Sequence, residues 1–497
     1  MKNNKSLILV NFVHDKYLEE LATLLQSETT YPIVQAGYAD LLSQSRKIEI
    51  DFSQVDNPEK IDSRLLKKNN FAYNSDYEAQ ESRYLGMFLN ILSRTTLGRF
   101  DVNICNFYFR FLTNYFRGEI DKIKPKLVVF DSTPHMPTEL CLFIASKQLG
   151  VKTIYPSRIH VGPRVIFLED LPYFKPIPKT YNENSGNVII PSISPWLKRS
   201  MHQNQENDKN IKSLFNFNIG LRTWANLKLF LKYAKKSLKI VIQSRWEHHY
   251  FYLSKSESVK FLILNFYKFR RQISTIMKEA STEYNTHHPE QYCCFMLQYQ
   301  PERSTMPEAF EFSDQISSLL YLRSVLPSKI PILVKEHPKQ LRLNPGNPRP
   351  LQYRSTLFYK LIASMENVFL LEPTFNSDKL LPEAKLVSSA TGSAIWEALN
   401  LGVPCLSFAR NWLSDFKFAP FIFDLDTKNG DIEKLMSSDK ELIKREFEEY
   451  KLEQVNYATL TLDSQNVTAN YSNDQIRVFK HNYVEALKLA YDSACKD

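Results

Sequence analysis

Glycine is scarce in this chain, at 12 of 497 residues. Cysteine is sparser still. None of the six (Cys105, Cys141, Cys293, Cys294, Cys405, Cys495) falls into a zinc-binding spacing. Cys141, Cys293, Cys294 and Cys405 lie within apolar stretches, where a free thiol behaves as a small hydrophobe. Reduced thiols in a cytoplasm are therefore expected. Long apolar runs are missing too. No run reaches the ~18 residues that a transmembrane helix needs. The basic start, Met1 to Lys5, leads only into Leu7-Ile8-Leu9-Val10 before Asn11, His14 and Asp15 end it, too short for a signal peptide. Repeats, low-complexity tracts and the usual nucleic-acid motifs are absent. The expectation is a cytoplasmic protein, with at most a peripheral contact at the cytoplasmic face of the inner membrane, and no nucleic-acid partner.

The length suits two ordinary domains with an insertion. The hydrophobic fraction of 43% and charged fraction of 24% are those of a soluble globular protein, and aromatics are high at 13%. The formal net charge of +9 suits an anionic sugar nucleotide, an acidic glycan or an anionic membrane face. Ordinary surface lysines would give the same sum.

Along the chain, Ser6 to Val13 reads as a buried strand, residues 15–26 as a helix and Tyr31 to Gln35 as a second strand. A helix-rich stretch over about 60–123 carries an aromatic stripe (Phe107, Tyr108, Phe109, Phe111, Tyr115, Phe116) that reads as core. Pro125 to Asp131, a helix from Thr138 to Leu149 and Val151 to Tyr155 form a βαβ unit with parallel strands. Another apolar run, Val165 to Leu168, ends at Glu169-Asp170. Residues 194–283 read as helical, with Lys and Arg among Phe, Leu and Trp. Such a stretch can pack on its own domain or lie on a membrane surface. From 290 the α/β alternation resumes: strands at 291–299, 330–335, 367–371, 385–388 and 404–408, with helices at about 308–325, 353–365 and 393–401. The tail from Asp439 to Lys496 is mostly helical and suits a closing element packed on the first domain. The expected architecture is α/β and GT-B-like, with two Rossmann-like domains facing a cleft. The divisions are 1–193, a helical region 194–285, a donor-nucleotide domain 286–437 and a helical tail 438–497.

Three stretches organise the second half. Gln298-Tyr299-Gln300-Pro301-Glu302 and Lys335-Glu336-His337-Pro338 each close an apolar run. A proline there stops the ladder, having no N–H and a fixed φ. The third, Ser388 into Thr391-Gly392-Ser393, opens a helix at Ala394-Ile395-Trp396-Glu397. All three should meet at the carboxyl edge of one sheet, where open α/β sheets bind ligands. Lys335, His337 and the helix start Thr391-Gly392-Ser393 then make a phosphate cradle. Glu302 can accept ribose hydroxyls, Gln300 can read a base or sugar edge, and Glu397 can also meet the ribose. A strand-end His or Glu alone is more often a capping or surface residue; three such stretches at one sheet edge point to a ligand site. No metal or other cofactor is expected: Asp424-Leu425-Asp426 reads as a solvated turn.

These stretches, with Ser389 to Leu399, resemble the capsule polysaccharide biosynthesis family, which includes retaining β-Kdo transferases marked by QPE and HP motifs. The resemblance covers residues 290–412 well and Val128 to Tyr155 more loosely; 194–283 carries no motif that aligns. It implies a GT-B glycosyltransferase using CMP-Kdo, with Gln300 and Glu302 at the nucleotide and His337 at the phosphate. It also implies double displacement through an aspartate of the first domain, and a glycan or glycolipid acceptor. Asp170 is the first candidate nucleophile, with Asp131 or His135 as acid/base or acceptor contacts; Asp131 is the alternative nucleophile. The chain departs from the family's pattern where an acidic stretch is expected: it has Pro156-Ser157-Arg158-Ile159-His160 there, and Leu168-Glu169-Asp170 only later. Two other readings stand beside this one: a sugar-nucleotide epimerase, and a non-catalytic capsule assembly or export protein on the same fold.

Overall fold

The computed structural model describes residues 6–12, 16–29, 32–38, 48–68, 75–96, 98–159, 164–171, 255–287, 289–341, 349–427, 429–455, 459–460 and 472–496, with the single positions 231 and 235. They belong to two α/β units. The first takes the described parts of Met1–Ser93, Gly98–Lys198 and Lys451–Asp497, and the second those of Arg94–Leu97 and Arg199–Tyr450.

The first unit is built on β1 (Ser6–Val10), β2 (Ile33–Gly37), β3 (Ile50–Asp51), β4 (Pro125–Phe130), β5 (Lys152–Ile159) and β6 (Arg164–Leu168). Its sheet runs β3-β2-β1-β4-β5-β6, and a short strand, Thr459–Leu460, pairs outside β6. From β3 to β5 all pairs are parallel. This is the Rossmann order, with the reversal between β1 and β4. Parallel strands covered on both faces read as continuous apolar runs, and every residue of β1 is buried. β6 is antiparallel to β5, pairing Tyr155 with Leu168 and Ile159 with Arg164.

Helix Val102–Ile123 starts at Asp101, whose carboxylate accepts from Asn103 N (2.9 Å) and Ile104 N (3.1 Å), and ends at Lys124 in the left-handed region. It buries Tyr108, Phe109, Phe111, Tyr115 and Phe116, so most of the aromatic stripe is core, while Phe107 stays partly exposed. The C-terminal helix Asn473–Lys496 lays Phe479, Tyr483, Leu487 and Tyr491 against Leu7, Leu9, Leu21, Val129 and Phe167. Each such side chain fully buried contributes about 1.5–3 kcal/mol. Lys488 Nζ of that helix pairs at 2.6 Å with Glu28, the last residue of helix Lys16–Glu28.

The second unit holds β7 (Cys293–Met296), β8 (Ile332–Lys335), β9 (Val368–Leu370), β10 (Leu386–Ser389) and β11 (Cys405–Ser407), all parallel, in the order β9-β8-β7-β10-β11. The same Rossmann order recurs, with its reversal between β7 and β10. The ladder of β7 stops at Met296, short of the expected 299. Before helix Gln315–Val325, which Asp314 caps, the chain makes a 3-10 turn at Phe310–Ser313 in place of helix. Of the helical stretch expected over 194–283, the structure describes Lys255–Glu279 and the start of Thr282–Thr286, together with single helical positions at 231 and 235; the remainder lies outside the described residues, as does the membrane-surface reading placed on it. Among the described residues no helix is long and apolar enough to cross a membrane.

Candidate functional site

In an open α/β sheet the crevice lies outside the carboxyl ends of the strands where the order reverses. In the second unit those are β7 and β10, and the side chain of Gln298 spans them. With its amide oxygen turned toward β10, the orientation that gives both N–H groups an acceptor, Gln298 accepts from Thr391 N at 2.9 Å and Gly392 N at 2.5 Å. Its backbone is clamped by Gln315: Gln298 N donates to Gln315 Oε1 (2.7 Å) and Gln315 Nε2 donates to Gln298 O (3.2 Å). Thr391 Oγ1 donates to Ser304 O (2.9 Å), tying the turn after Gln300-Pro301-Glu302 to the same loop. Gly392 has an ordinary helical-entry φ of −66°, so its role is space. A Cβ there would lie 3.1 Å from Ser389 Oγ and 3.2 Å from the Gln298 amide. The loop was expected to offer its N–H groups to a phosphate. At Thr391 and Gly392 they are already taken by Gln298.

Gln300 was expected to read a base or sugar edge. It is buried, and both ends of its amide are engaged: Nε2 donates to Ser313 O (2.8 Å), and Oε1 accepts from Arg354 Nη1 (2.6 Å). Its backbone N donates to Gln340 Oε1 (2.8 Å). Gln300 is a strut. Lys335 was expected in the phosphate cradle. It is 1% exposed, and its ammonium donates to Pro373 O (3.0 Å) and Glu336 O (3.3 Å), pinning the segment after β9. Its cation serves the fold.

Of the expected groups at this edge, His337 is half-buried and Glu302 is exposed. His337 Nδ1 accepts from Lys339 N (3.1 Å), which leaves the proton on Nε2. Burial pushes its pKa down to about 3, with Lys339, Lys335 and Arg354 adding to the effect. His337 is thus a neutral imidazole presenting a donor, beside the Tyr299 ring at 5.8 Å. Solvent reaches Glu302, yet the surrounding protein holds its carboxyl above the usual range, with burial the main cause and Lys339 the main opposing influence. Lys339 therefore bears on both His337 and Glu302. Ser393 and Glu397 are half-buried on one face of the helix Ser393–Asn400, and burial raises the Glu397 carboxyl while a hydrogen bond from Ser393 lowers it.

Sequence reasoning missed Lys339, Arg354 and Glu336. Lys339 could have been found as the cation directly after a strand-end His-Pro. Glu336 was passed over between Lys335 and His337. Arg354, fully buried, carries no signal in its own stretch, because the partners that tie it to this edge are 18 to 56 residues away. Asp424 pairs with Arg410 through two contacts (2.6 and 3.0 Å), and Asp426 holds Asn429.

In the first unit the reversal lies between β1 and β4. Asp131 N donates to Val10 O (3.1 Å), so Asp131 sits at the carboxyl edge beside Asn11. Asn11, with a positive φ of 63°, turns its amide to Glu139 Oε1 (2.5 Å). Glu139 Oε2 accepts from His135 N (2.9 Å) and Met136 N (3.1 Å), capping helix Pro137–Gln148. Its burial opposes the charge, but His135 and these donors hold the carboxyl below its ordinary value. His135 Nδ1 lies 2.9 Å from Thr133 O and 3.3 Å from Glu139 Oε2. Glu139 was also missed, although Pro137 and Glu139 are the first- and third-position signature of a helix start.

Asp170 does not join this group. Because β6 is antiparallel, the chain after Leu168 emerges toward the amino ends of the parallel strands. Thr153, near the start of β5, donates through Oγ1 to Glu169 O (3.0 Å). Lys147, in the last turn of helix Pro137–Gln148, lies 3.4 Å from Asp170 Oδ1. That helix runs back from the carboxyl edge, so its last turn marks the opposite edge. Asp131 and His135 share one edge of the sheet; Asp170 lies at the other.

No family model and no curated protein matches the chain. Solved structures do. A UDP-GlcNAc 2-epimerase from Methanocaldococcus jannaschii is 11% identical over 88% of this chain and 93% of its own, with a TM-score of 0.24. The Neisseria meningitidis UDP-GlcNAc 2-epimerase bound to UDP-GlcNAc is 15% identical over 97% and 99%, at 0.20. The wall teichoic acid polymerase TagF is 10% identical over 100% and 90%, at 0.19. At these scores the residues of the site itself must carry the functional argument.

Proposed function

We propose that the chain is a glycosyltransferase of GT-B organisation in surface-polysaccharide biosynthesis, transferring Kdo or a related ulosonic acid from a CMP-sugar to a glycan or glycolipid acceptor. In this reading the second unit holds the donor, and the first supplies the carboxylate or acceptor contacts. The observation that carries it is the state of His337: a neutral imidazole with its proton on Nε2, at the carboxyl edge of a Rossmann-ordered sheet, with Lys339 beside it and Glu302 within that cation's influence. A departing phosphate needs donors that are already oriented and a cation to offset its charge. His337 and Lys339 have those properties. Glu302 and Glu397 are acceptors suited to ribose hydroxyls. Gln300 and Lys335, given to the donor in the sequence-based scheme, are reassigned to holding the edge rigid.

In the first unit, Asp131 takes the place of Asp170 as candidate nucleophile, with His135 as the acid/base contact. The test is thermal stabilisation by free nucleotides, since a ligand that binds only the native state raises its melting point. CMP should raise it more than UDP or GDP. Equal shifts for all three, or none, would remove the CMP-sugar donor from the proposal, and a preference for UDP would favour the epimerase reading.

A further inference from the structure

Arg354 joins the pieces of this edge that the sequence presents separately. Its side chain is buried, and its guanidinium reaches three acceptors at this edge: Nε donates to Glu336 Oε2 (2.7 Å), Nη1 to Gln300 Oε1 (2.6 Å) and Nη2 to Gln298 O (2.9 Å), while Nη1 also donates to the adjacent Tyr353 O (3.2 Å). The Phe358 ring lies 4.4 Å from its central carbon and fixes the plane of the fork. Gln272, from helix Lys255–Glu279, donates to the carbonyls of Leu351 (2.8 Å) and Arg354, which locks the backbone beneath.

Each acceptor leads one step further to the ligand edge. Glu336 Oε1 accepts from His337 N (2.7 Å), while its Oε2 also receives Tyr359 OH (3.0 Å). Gln298 carries the Thr391–Gly392 loop on its side chain. Gln300 holds Ser313. We infer that Arg354 is a positioning residue for this edge: one rigid fork sets the Gln298 bridge and the His337 imidazole at the same time. Its effect on nucleotide affinity rests on the function proposed above; its effect on His337 does not. A lysine could not replace it, because an ammonium is a point charge that would meet one of the three acceptors, whereas the planar fork meets all three.

The experiment separates this from a purely structural ion pair. Arg354→Lys keeps a positive charge beside Glu336. Arg354→Met/Glu336→Gln removes both charges and leaves no orphaned carboxylate. His337 is read by nitrogen NMR of protein labelled in histidine, assigned with His337→Gln, through a mildly acidic titration. The groups facing its ring are Lys335, Lys339, Arg354 and the Tyr299 ring, with Glu336 on its backbone. The expected result is that folded variants lose the uniform Nε2-protonated signature of His337, and that CMP binds about tenfold or more weakly. Arg354→Lys should recover melting temperature without recovering either readout. A folded variant that keeps the parent's His337 spectrum and CMP affinity would overturn the inference, as would recovery of all three by lysine. If neither Arg354 variant folds, Gln300→Met removes one arm of the fork while leaving the charge pair, and an unchanged His337 spectrum there overturns it equally. A parent that shows the His337 signature but binds no CMP would sink the nucleotide reading and leave the positioning role standing.

Discussion

The amide oxygen of Gln298 lies 2.5 Å from the backbone N of Gly392, joining the ends of two strands that are neighbours in the sheet but nearly a hundred residues apart in sequence. A glycine here provides space, and its substitution is a direct probe of the bridge. In Gly392→Ala the new Cβ would press on the Gln298 amide and Ser389 Oγ. Overpacking of this sort costs about 1–3 kcal/mol. The expected outcome is a modestly lowered melting point with a disproportionate loss of nucleotide affinity, measured by calorimetry. Gln298→Ala, which strands two N–H groups, should behave alike. Affinity that survives in both variants would show that the bridge has no part in the site.

Lys335 and Lys339 should separate cleanly. Lys335→Ala leaves the carbonyls of Pro373 and Glu336 without their buried donor, at about 1–3 kcal/mol. It should lower stability and spare affinity in the folded fraction. Lys339→Ala should do the reverse, weakening CMP binding about tenfold with little change in melting point. A reversed pattern would restore the phosphate to Lys335.

Much of the second unit can be read from sequence for a physical reason. Parallel strands buried on both faces must be apolar runs; Pro338 follows the end of β8 by three residues, whereas β7 stops at Met296, five residues before Pro301. What pattern cannot show is which polar side chain looks inward. Gln300 and Glu302 have the same composition cues, yet one is a buried strut and the other an exposed acceptor, because Arg354 arrives from a distant loop to engage the first. Strand direction was legible in principle. Only four residues separate Ile159 from Arg164, and a parallel crossover needs a dozen or more. A hairpin was therefore required, and with it Asp170 had to fall at the opposite edge.

Stability should depend on pH through His337. An unfolded histidine titrates near 6.5, while in the folded protein the value falls to about 3. Between these limits the unfolded chain binds a proton that the folded chain refuses. Stability should therefore decline as pH drops below about 6.5, by up to about 1.4 kcal/mol per pH unit from this group, and be regained as pH rises. His337→Gln should flatten that slope in chemical denaturation. Parallel slopes for parent and variant would place the imidazole in ordinary solvent.

Turnover should persist in EDTA. Asp424 is matched by the Arg410 guanidinium and Asp426 by Asn429, so the Asp-x-Asp pair is already satisfied. Among the described residues, Glu28, His481 and Glu485 bring ligand atoms close together. Lys488 Nζ already stands between the two carboxylates, at 2.6 and 2.9 Å. In the proposed site the phosphate charge is met by His337 and Lys339. Activity abolished by EDTA and restored by magnesium would return attention to Asp424 and Asp426.

The nucleophile is the sharpest prediction, because the fold reverses the order of the candidates. Retention by double displacement needs a carboxylate oxygen to bond the anomeric carbon as CMP departs with the bonding electron pair. In the proposed reading such a group belongs at the carboxyl edge of the first unit's sheet, where Asp131 follows β4 next to Asn11. The Asp170 carboxylate instead accepts from Leu171 N (3.1 Å) and pairs with Lys147 at the other edge, the arrangement of a loop-capping residue. Protein incubated with CMP-Kdo should gain the mass of one sugar. Asp170→Asn should keep that adduct. Asp131→Asn should lose it while retaining CMP binding, because the proposed donor contacts are residues of the second unit. An adduct that survives in Asp131→Asn and vanishes in Asp170→Asn would reverse the assignment and place the reacting sugar at the amino edge of the sheet. No adduct in the parent, with transfer still observed, would point to direct displacement, with His135 taking the acceptor proton.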